Sequence, residues 1–126
     1  MEKKDTRKKI TGQAGEDIAA GFLEKNGYRI SERNYRCPIG EIDIVARDKN
    51  DLVFVEVKTR RSEDLGYPEQ AVGIKKQKKI SQLALWYLQE KKLDGVCARF
   101  DVVAIMIQPS GNDIRLIKNA FDFVSY

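Results

Sequence analysis

The sequence of 126 residues contains no histidine, and this absence excludes more chemistry than any other feature of its composition. Without histidine the chain has no Ser-His-Asp or Cys-His catalytic group and no histidine-ligated metal site. Its two cysteines, Cys37 and Cys97, are too few for a structural zinc site. Any hydrolytic chemistry must therefore depend on carboxylates and lysine, with or without a metal ion.

Other features of the composition limit the expected partners and cellular location of the protein. No apolar run approaches the roughly 20 residues of a membrane span, so no membrane partner is expected. Two cysteines and no secretory signal predict reduced thiols in the cytoplasm. The 23 basic and 19 acidic residues give a net charge of +4, which permits an anionic partner without requiring one. We expect one domain over residues 11–126, preceded by a basic, flexible arm over residues 1–10.

The stretch Gly40–Arg60 predicts two strands joined by a turn. Glu41–Val45 alternates polar and apolar residues, and Leu52–Val57 is rich in β-branched valine. Because side chains alternate between the faces of a strand, Glu56 and Lys58 are predicted to share one face. Asp43, Glu56 and Lys58 thus place three charged side chains in a hairpin whose faces should be largely apolar.

The length of the turn decides which charged residues meet. An even-length loop, either Lys49–Asn50 or Asp48–Asp51, places Asp43 opposite Glu56 with Cβ atoms about 5 Å apart. Two half-buried carboxylates repel each other, and a hard divalent cation such as Mg²⁺ removes that cost. The alternative is that both are ordinary solvent-facing residues, and a register slip of one residue would separate them.

A helix is predicted from Thr11 to about Lys25, because apolar residues recur at helical spacing and Asn26-Gly27 follows as a stop signal. Glu16 lies at the edge of the apolar stripe. It can face the sheet as a further site carboxylate, or it can complement the helix dipole from the first turn. The sequence leaves both interpretations open.

A second helix is predicted over Glu69–Lys92, with a break possible at Gly73. Its N-terminal part carries four lysines, which oppose the helix dipole: Lys75, Lys76, Lys78 and Lys79. They either bind phosphates or form a solvated face. The same choice applies to Arg60 and Arg61, which are predicted to begin a long polar loop after Lys58.

The remaining elements complete an α/β sandwich. Strands are predicted over Tyr28–Tyr35, Ala98–Ile107 and Asp113–Lys118, and the chain ends in aromatic residues expected to pack on the body: Phe121, Phe123 and Tyr126. The order is helix, three strands, helix, two strands. This order predicts a mixed sheet of about five strands with two main helices covering its faces.

At this point the motifs resemble a known family. Asp43, followed thirteen positions later by Glu56-Val57-Lys58, resembles the PD-(D/E)XK nuclease superfamily. Together with Gly15-Glu16 and Tyr67-Pro-Glu-Gln-Ala-Val72, the pattern closely resembles the YraN (UPF0102) family, which is similar to archaeal Holliday junction resolvases. The resemblance extends from Thr11 to about Ile107.

The resemblance implies a restriction-endonuclease-like core with a Mg²⁺ or Mn²⁺ site. Asp43, Glu56 and the Val57 carbonyl would bind the metal, Glu16 would add a carboxylate, and Lys58 would orient or activate water. The superfamily's proline before the aspartate is replaced by Ile42. Some superfamily nucleases have tyrosine four residues after a glutamine, but Ile74 follows Gln70 at that distance, which leaves Gln70 a supporting role.

Three functions follow as hypotheses. The first is a Mg²⁺-dependent endonuclease acting on DNA, including branched or structured forms. The second is a nucleic-acid-binding module of the same fold that does not cleave and acts within a larger assembly. The third is a protein-interaction domain with a structural carboxylate–lysine network. DNA is expected rather than RNA, and monomer and homodimer both remain open. The residues expected at the nucleic acid are Arg60, Arg61, Gln70, Lys75, Lys76, Lys78 and Lys79.

Overall fold

The computed structural model describes residues 6–61 and 72–124, with side chains in the first helix described from residue 12 onward. None of the helices in these ranges is long and apolar enough to cross a bilayer. The elements, in chain order, are α1 (Thr6–Lys25), β1 (Arg29–Cys37), β2 (Gly40–Asp48), β3 (Asp51–Arg61), α2 (Ile74–Glu90), β4 (Ala98–Ile107) and β5 (Asp113–Phe121).

The five strands form one mixed sheet in the order β1-β2-β3-β4-β5. Neighbouring strands are antiparallel except β3 and β4, which run parallel because the connection containing α2 crosses between them. One face of the sheet packs against α1 and the other against α2. The predicted α/β class, with a five-stranded mixed sheet and two main helices, is confirmed.

Strand alternation divides the core into two halves. Phe54 packs on the α2 side with Tyr87 and Phe100, at ring-centroid distances of 5.6 and 5.8 Å. Val53 and Val55, its neighbours on β3, pack on the α1 side. The period of two predicted for β3 is therefore confirmed, and Tyr87 of α2 is a buried core residue.

Both helices begin elsewhere than predicted. The helix α1 starts at Thr6 rather than Thr11, since a formed helix continues through basic residues that carry no apolar pattern. The helix α2 starts at Ile74 rather than Glu69. Gly73 caps it in an extended conformation, with φ −64° and ψ 156°, so the described helix begins directly after this glycine, where a break was predicted. Residues 69–71 of the predicted helix lie outside the described residues.

The strands β3 and β5 end later than predicted. Arg60 and Arg61 belong to β3, where they pair with Met106 and Ile107 of β4, so the expectation that they begin a loop was wrong. The parallel ladder with β4 continues to the end of that strand and keeps them in the sheet. The strand β5 extends to Phe121, whose ring stacks on Phe100 at 4.7 Å.

A partly buried ion-pair network stabilises the end of the sheet that carries the β2–β3 turn. Arg99 donates to Asp101 at 3.0 Å, to Asp48 at 2.7 Å and to Asp51 at 2.8 Å. Asp101 is fully buried and accepts two further hydrogen bonds, from the Tyr28 hydroxyl and the Asn119 amide. The network ties β4 to both strands of the hairpin and to β5.

The two cysteines are unpaired thiols at opposite ends of the sheet. Cys37 ends β1 beside the β1–β2 turn, whereas the Cys97 carbonyl accepts a hydrogen bond from Leu52 beside the β2–β3 turn. The nine residues of β2 span about 27 Å between those turns, far beyond the reach of a disulfide.

Candidate metal centre

The hairpin of β2 and β3 has the register that its two-residue loop, Lys49–Asn50, imposes. Ile44 pairs with Val55, and every further pair down to Asp48 and Asp51 keeps the same offset. That register is the one predicted, and Asp43 and Glu56 directly follow its last pair at the open end of the hairpin. The ladder itself ends one pair earlier than predicted, at Ile44 and Val55.

The strand β2 changes its facing at Asp43. Ile42 packs in the α2-side core and Ile44 in the α1-side core, although residues two apart on a regular strand share one face. Across from Asp43 on β1 lies Asn34, which has a positive φ of 54°. The Asp43 carboxylate accepts a hydrogen bond from the Val57 amide at 2.8 Å. This side-chain bond lies just past the last backbone pair between β2 and β3.

The environment of Asp43 disfavours its charge. Burial raises the pKa of the Asp43 carboxyl to about 7, and the negative charges of Glu56 and Glu16 act in the same direction. The hydrogen bond from Val57 and the positive charge of Lys76 act against that increase in pKa. The charges of Glu56 and Glu16 are thus near enough to Asp43 to disfavour its ionisation.

Glu16 reaches this group because α1 lies unusually close to β3. A Cβ atom built on Gly15 would collide with the Thr59 side chain, so only glycine permits this approach. Glu16 lies well inside α1, which begins at Thr6, and its proposed role as a first-turn dipole residue is wrong. Burial raises the pKa of the Glu16 carboxyl, whereas hydrogen bonding to Asn34 and the charge of Arg33 lower it.

Asn34 is a site residue that the sequence analysis missed. With its amide nitrogen directed at Glu16, it donates to both carboxylate oxygens, at 2.9 and 3.3 Å. Asparagine adopts positive φ more readily than most residues and carries the donor, so it suits both features of the position. The only signal in the sequence was that Asn34 is a small polar residue inside a predicted strand. That signal indicates an irregular strand backbone, but it does not identify Glu16 as the hydrogen-bond partner.

The strand β3 presents Glu56 and Lys58 on the α2 side of the sheet, and both are half-buried. Lys76, in the first turn of α2, forms an ion pair with Glu56, with 3.3 Å between Nζ and Oε1. Of the four predicted lysines, Lys76 is therefore in the site itself. Lys75 and Lys79 are exposed nearby on α2, and Lys78 is half-buried.

The remaining predicted contacts fall into two groups. Arg60 and Arg61 continue β3 beyond Lys58 and are half-buried, so they extend from the site along the strand. Gln70 and the Tyr67–Ala71 part of the predicted motif lie outside the described residues. Val72, at the end of that motif, is buried, and its carbonyl accepts a hydrogen bond from Gln77 at 2.7 Å.

The donor set fits a hard divalent cation. Within residues 12–61 and 72–124, no three acidic, histidine or cysteine side chains lie close enough together to form a complete metal cage. Mg²⁺ does not require one, because it keeps several waters and commonly binds one or two carboxylates together with a substrate phosphate. Asp43 and Glu56, with the Val57 carbonyl beside them, offer that partial set.

Comparison with known proteins gives relatives over most of the chain. Residues 15–105 match the model of the uncharacterised protein family UPF0102. A UPF0102 protein of Syntrophus aciditrophicus is 58% identical over 112 residues, covering 89% of this chain and 88% of that protein. Another, from Syntrophotalea carbinolica, is 50% identical over 111 residues, covering 88% of this chain and 90% of that protein.

One solved structure shows a weaker likeness. Pyrococcus furiosus SfsA in complex with Ca²⁺ matches 90% of this chain with a TM-score of 0.42 and 17% identity. The match covers 63% of that chain, less than two thirds of its length.

Proposed function

The chain belongs to the uncharacterised protein family UPF0102, and from this premise we propose that it is a metal-dependent endonuclease that hydrolyses phosphodiester bonds in DNA. The substrate class includes branched or otherwise structured DNA. One observation carries the proposal: Asp43 and Glu56 are half-buried at the open end of the hairpin, near enough for the charge of Glu56 to raise the pKa of Asp43, and Lys58 follows Glu56 on the same strand face.

The cation implied by this donor set, Mg²⁺ or Mn²⁺, supplies a more acidic water and neutralises phosphate charge when bound. Asp43 and Glu56 would hold it, and the Val57 amide fixes the Asp43 carboxylate for that purpose. Lys58 would stabilise negative charge on the phosphate or orient the attacking water. Glu16, positioned by Asn34, would contribute a further acceptor on the α1 side.

The charges around the site support a nucleic acid as substrate. The first two turns of α2 carry four lysines and no acidic residue in the first turn. The β3 strand continues from Lys58 into Arg60 and Arg61. A phosphate backbone could therefore cross the site with positive charge on both sides of the carboxylates. The reduced thiols expected from Cys37 and Cys97 suit a cytoplasmic enzyme.

A cleavage assay tests this proposal. Linear duplex, single-stranded and four-way-junction DNA, with matched RNA, would be incubated with protein in Mg²⁺, in Mn²⁺ and in EDTA. We expect cleavage of DNA that needs the metal and is lost in Glu56→Gln. Glu24→Gln, which neutralises an exposed glutamate on α1, is the control and should cleave normally.

Other outcomes of the same assay favour the alternatives. DNA binding that is equal in metal and in EDTA, without cleavage of any substrate, would identify a binding module. Neither binding nor cleavage would point to a protein-interaction domain. Cleavage that persists in Glu56→Gln would contradict the assignment of the site.

A further inference from the structure

The ion pair between Lys76 and Glu56 occupies a carboxylate oxygen that a metal ion would need. Lys76 Nζ lies 3.3 Å from Glu56 Oε1. The glutamate side chain is 19% exposed, so it is largely withdrawn from water, whereas the lysine is 56% exposed. A charged group that is half-buried beside another carboxylate needs a counter-ion, and in the described structure Lys76 provides it.

The position of Lys76 is unfavourable for the helix that carries it. It lies in the first turn of α2, where the helix dipole disfavours positive charge, and Gly73 supplies no side-chain cap to that end. The ammonium group is therefore disfavoured by its own helix and favoured by the carboxylates of the hairpin. Such a group is stabilised chiefly by the negative charge that it faces.

We propose that Lys76 is an exchangeable counter-ion: it neutralises the Asp43–Glu56 pair in the metal-free protein, and divalent-cation binding displaces it. The inference rests on the proposed function, since it assumes that these carboxylates bind a metal. The displacement needs only rotation of a long side chain that is already half-exposed, and no backbone movement. The ammonium group then remains beside the metal, where a phosphate of the substrate would lie.

Lys75 provides the matched control. It is the neighbouring residue in the same turn of α2, is exposed, and carries the same charge. Lys75→Met and Lys76→Met remove one positive charge each from adjacent, exposed positions in the first turn of the helix. Their long-range electrostatic effects on a cation should therefore be similar, and the contact with Glu56 is the chief difference between them.

The test is Mn²⁺ binding to the full chain, measured by calorimetry without nucleic acid. We expect Lys76→Met to bind Mn²⁺ about two- to fivefold more tightly than the wild type, the range for removal of one competing half-exposed ion pair. The gain in Mn²⁺ affinity should be clearly smaller in Lys75→Met. In Lys76→Met combined with Glu56→Gln, the gain should disappear.

The outcomes separate this inference from the proposed function. If the wild type binds Mn²⁺ and Lys76→Met binds it no better than Lys75→Met, the exchange is overturned while the metal site stands. If neither the wild type nor Lys76→Met binds Mn²⁺, the metal site itself fails, and the exchange fails with it. A thermal melt of each metal-free variant shows whether it is folded, and a folded Lys76→Met lets the comparison decide.

Discussion

Asp43 combines burial with two negative neighbours, and both features make its ionisation unfavourable in the folded chain. The folded-state pKa is raised to about 7 from an ordinary value near 3.8, so the folded protein binds the proton more tightly than the unfolded chain does. The free energy of unfolding should therefore decrease as the pH rises through that interval.

Replacing Asp43 with asparagine should remove this pH dependence. The amide oxygen can still accept the hydrogen bond from Val57, while the charge is gone. We expect Asp43→Asn to exceed the wild type in stability by about 1–3 kcal/mol above pH 7 and to match it near pH 4. Urea denaturation across this pH range measures the difference.

Asp94→Asn is the control, because Asp94 is exposed in the α2–β4 connection. The difference in stability between this variant and the wild type should change little with pH. A loss of stability in Asp43→Asn at every pH would instead make Asp43 a structural residue whose charge the fold requires.

The sequence could predict which residues meet here but not how Asp43 is oriented. An even-length turn fixes the register, and the observed two-residue loop, Lys49–Asn50, has the predicted even length. The change of facing at Asp43 coincides with the positive φ of Asn34 on the neighbouring strand. Asn34 also hydrogen-bonds Glu16 of α1, a long-range contact that no local pattern contains.

Among the elements, the contact between α1 and β3 determines where Glu16 lies. We expect Gly15→Ala to destabilise the protein by about 1–3 kcal/mol, because the added methyl collides with the Thr59 side chain. Gly21→Ala, on the same helix with open space around it, should instead stabilise the protein by about 0.5–1 kcal/mol.

Thermal unfolding of these variants checks the prediction. Adding Thr59→Ala to Gly15→Ala should recover part of the stability, since the methyl's worst collision is with the Thr59 hydroxyl oxygen. Equal effects of Gly15→Ala and Gly21→Ala would show that α1 does not approach β3 so closely.

The lysines of α2 give a second prediction at this scale. Changing Lys75, Lys78 and Lys79 to glutamine leaves the Lys76–Glu56 ion pair intact. If the three bind phosphates, the slope of log K against log salt for duplex DNA should flatten by about 0.9 for each phosphate that the variant no longer binds. The helix should also gain a few tenths of a kcal/mol, because cations leave its positive end.

DNA affinity of the metal-free protein over a range of salt concentrations gives this slope. Lys25→Gln with Lys92→Gln, both at exposed positions elsewhere on the chain, is the control and should leave it unchanged. A slope unaffected by the triple substitution would identify the α2 lysines as a solvated face.

The four lysines were recognisable in the sequence, but their individual roles were not. Lys76 lies four residues before Ile80 and seven before Leu83, so it is on the face of α2 that packs toward the sheet. That Glu56 of β3 lies opposite this position depends on how α2 packs across the sheet, which no local pattern contains.

At the scale of the whole molecule, the Arg99 network and the candidate metal centre lie at different ends of the hairpin. We expect Arg99→Ala to destabilise the protein by about 3–5 kcal/mol, because Asp101 would remain buried without its cation. Arg115→Ala, in an exposed ion pair with Asp113, should cost less than about 1 kcal/mol. Urea denaturation compares the two.

Mn²⁺ affinity should be unchanged in Arg99→Ala at a temperature where the variant is folded, since the network shares no residue with the metal centre. If the stability of Arg99→Ala were within about 1 kcal/mol of that of the wild type, the structural role of the network would be contradicted.

The sequence could not predict this network, although Arg99 and Asp101 are two residues apart on a predicted strand and so share one face. Its other members, Tyr28, Asp48 and Asp51, come from distant parts of the chain and meet only when the sheet is assembled. By contrast, the order of elements already predicted the mixed sheet, because periodicity and turn signals are local. The architecture could therefore be predicted from the sequence, whereas the long-range polar network could not.

The most direct measurement of the central claim is anomalous X-ray diffraction from crystals of the protein soaked in Mn²⁺. We predict one principal anomalous peak between the carboxylates of Asp43 and Glu56, about 2.0–2.2 Å from their oxygens, with the Lys76 ammonium turned away from Glu56. In Glu56→Gln crystals treated identically, the peak should be absent or greatly reduced. A wild-type peak at the Asp48–Asp51 carboxylates instead, or none near Asp43, would contradict the account.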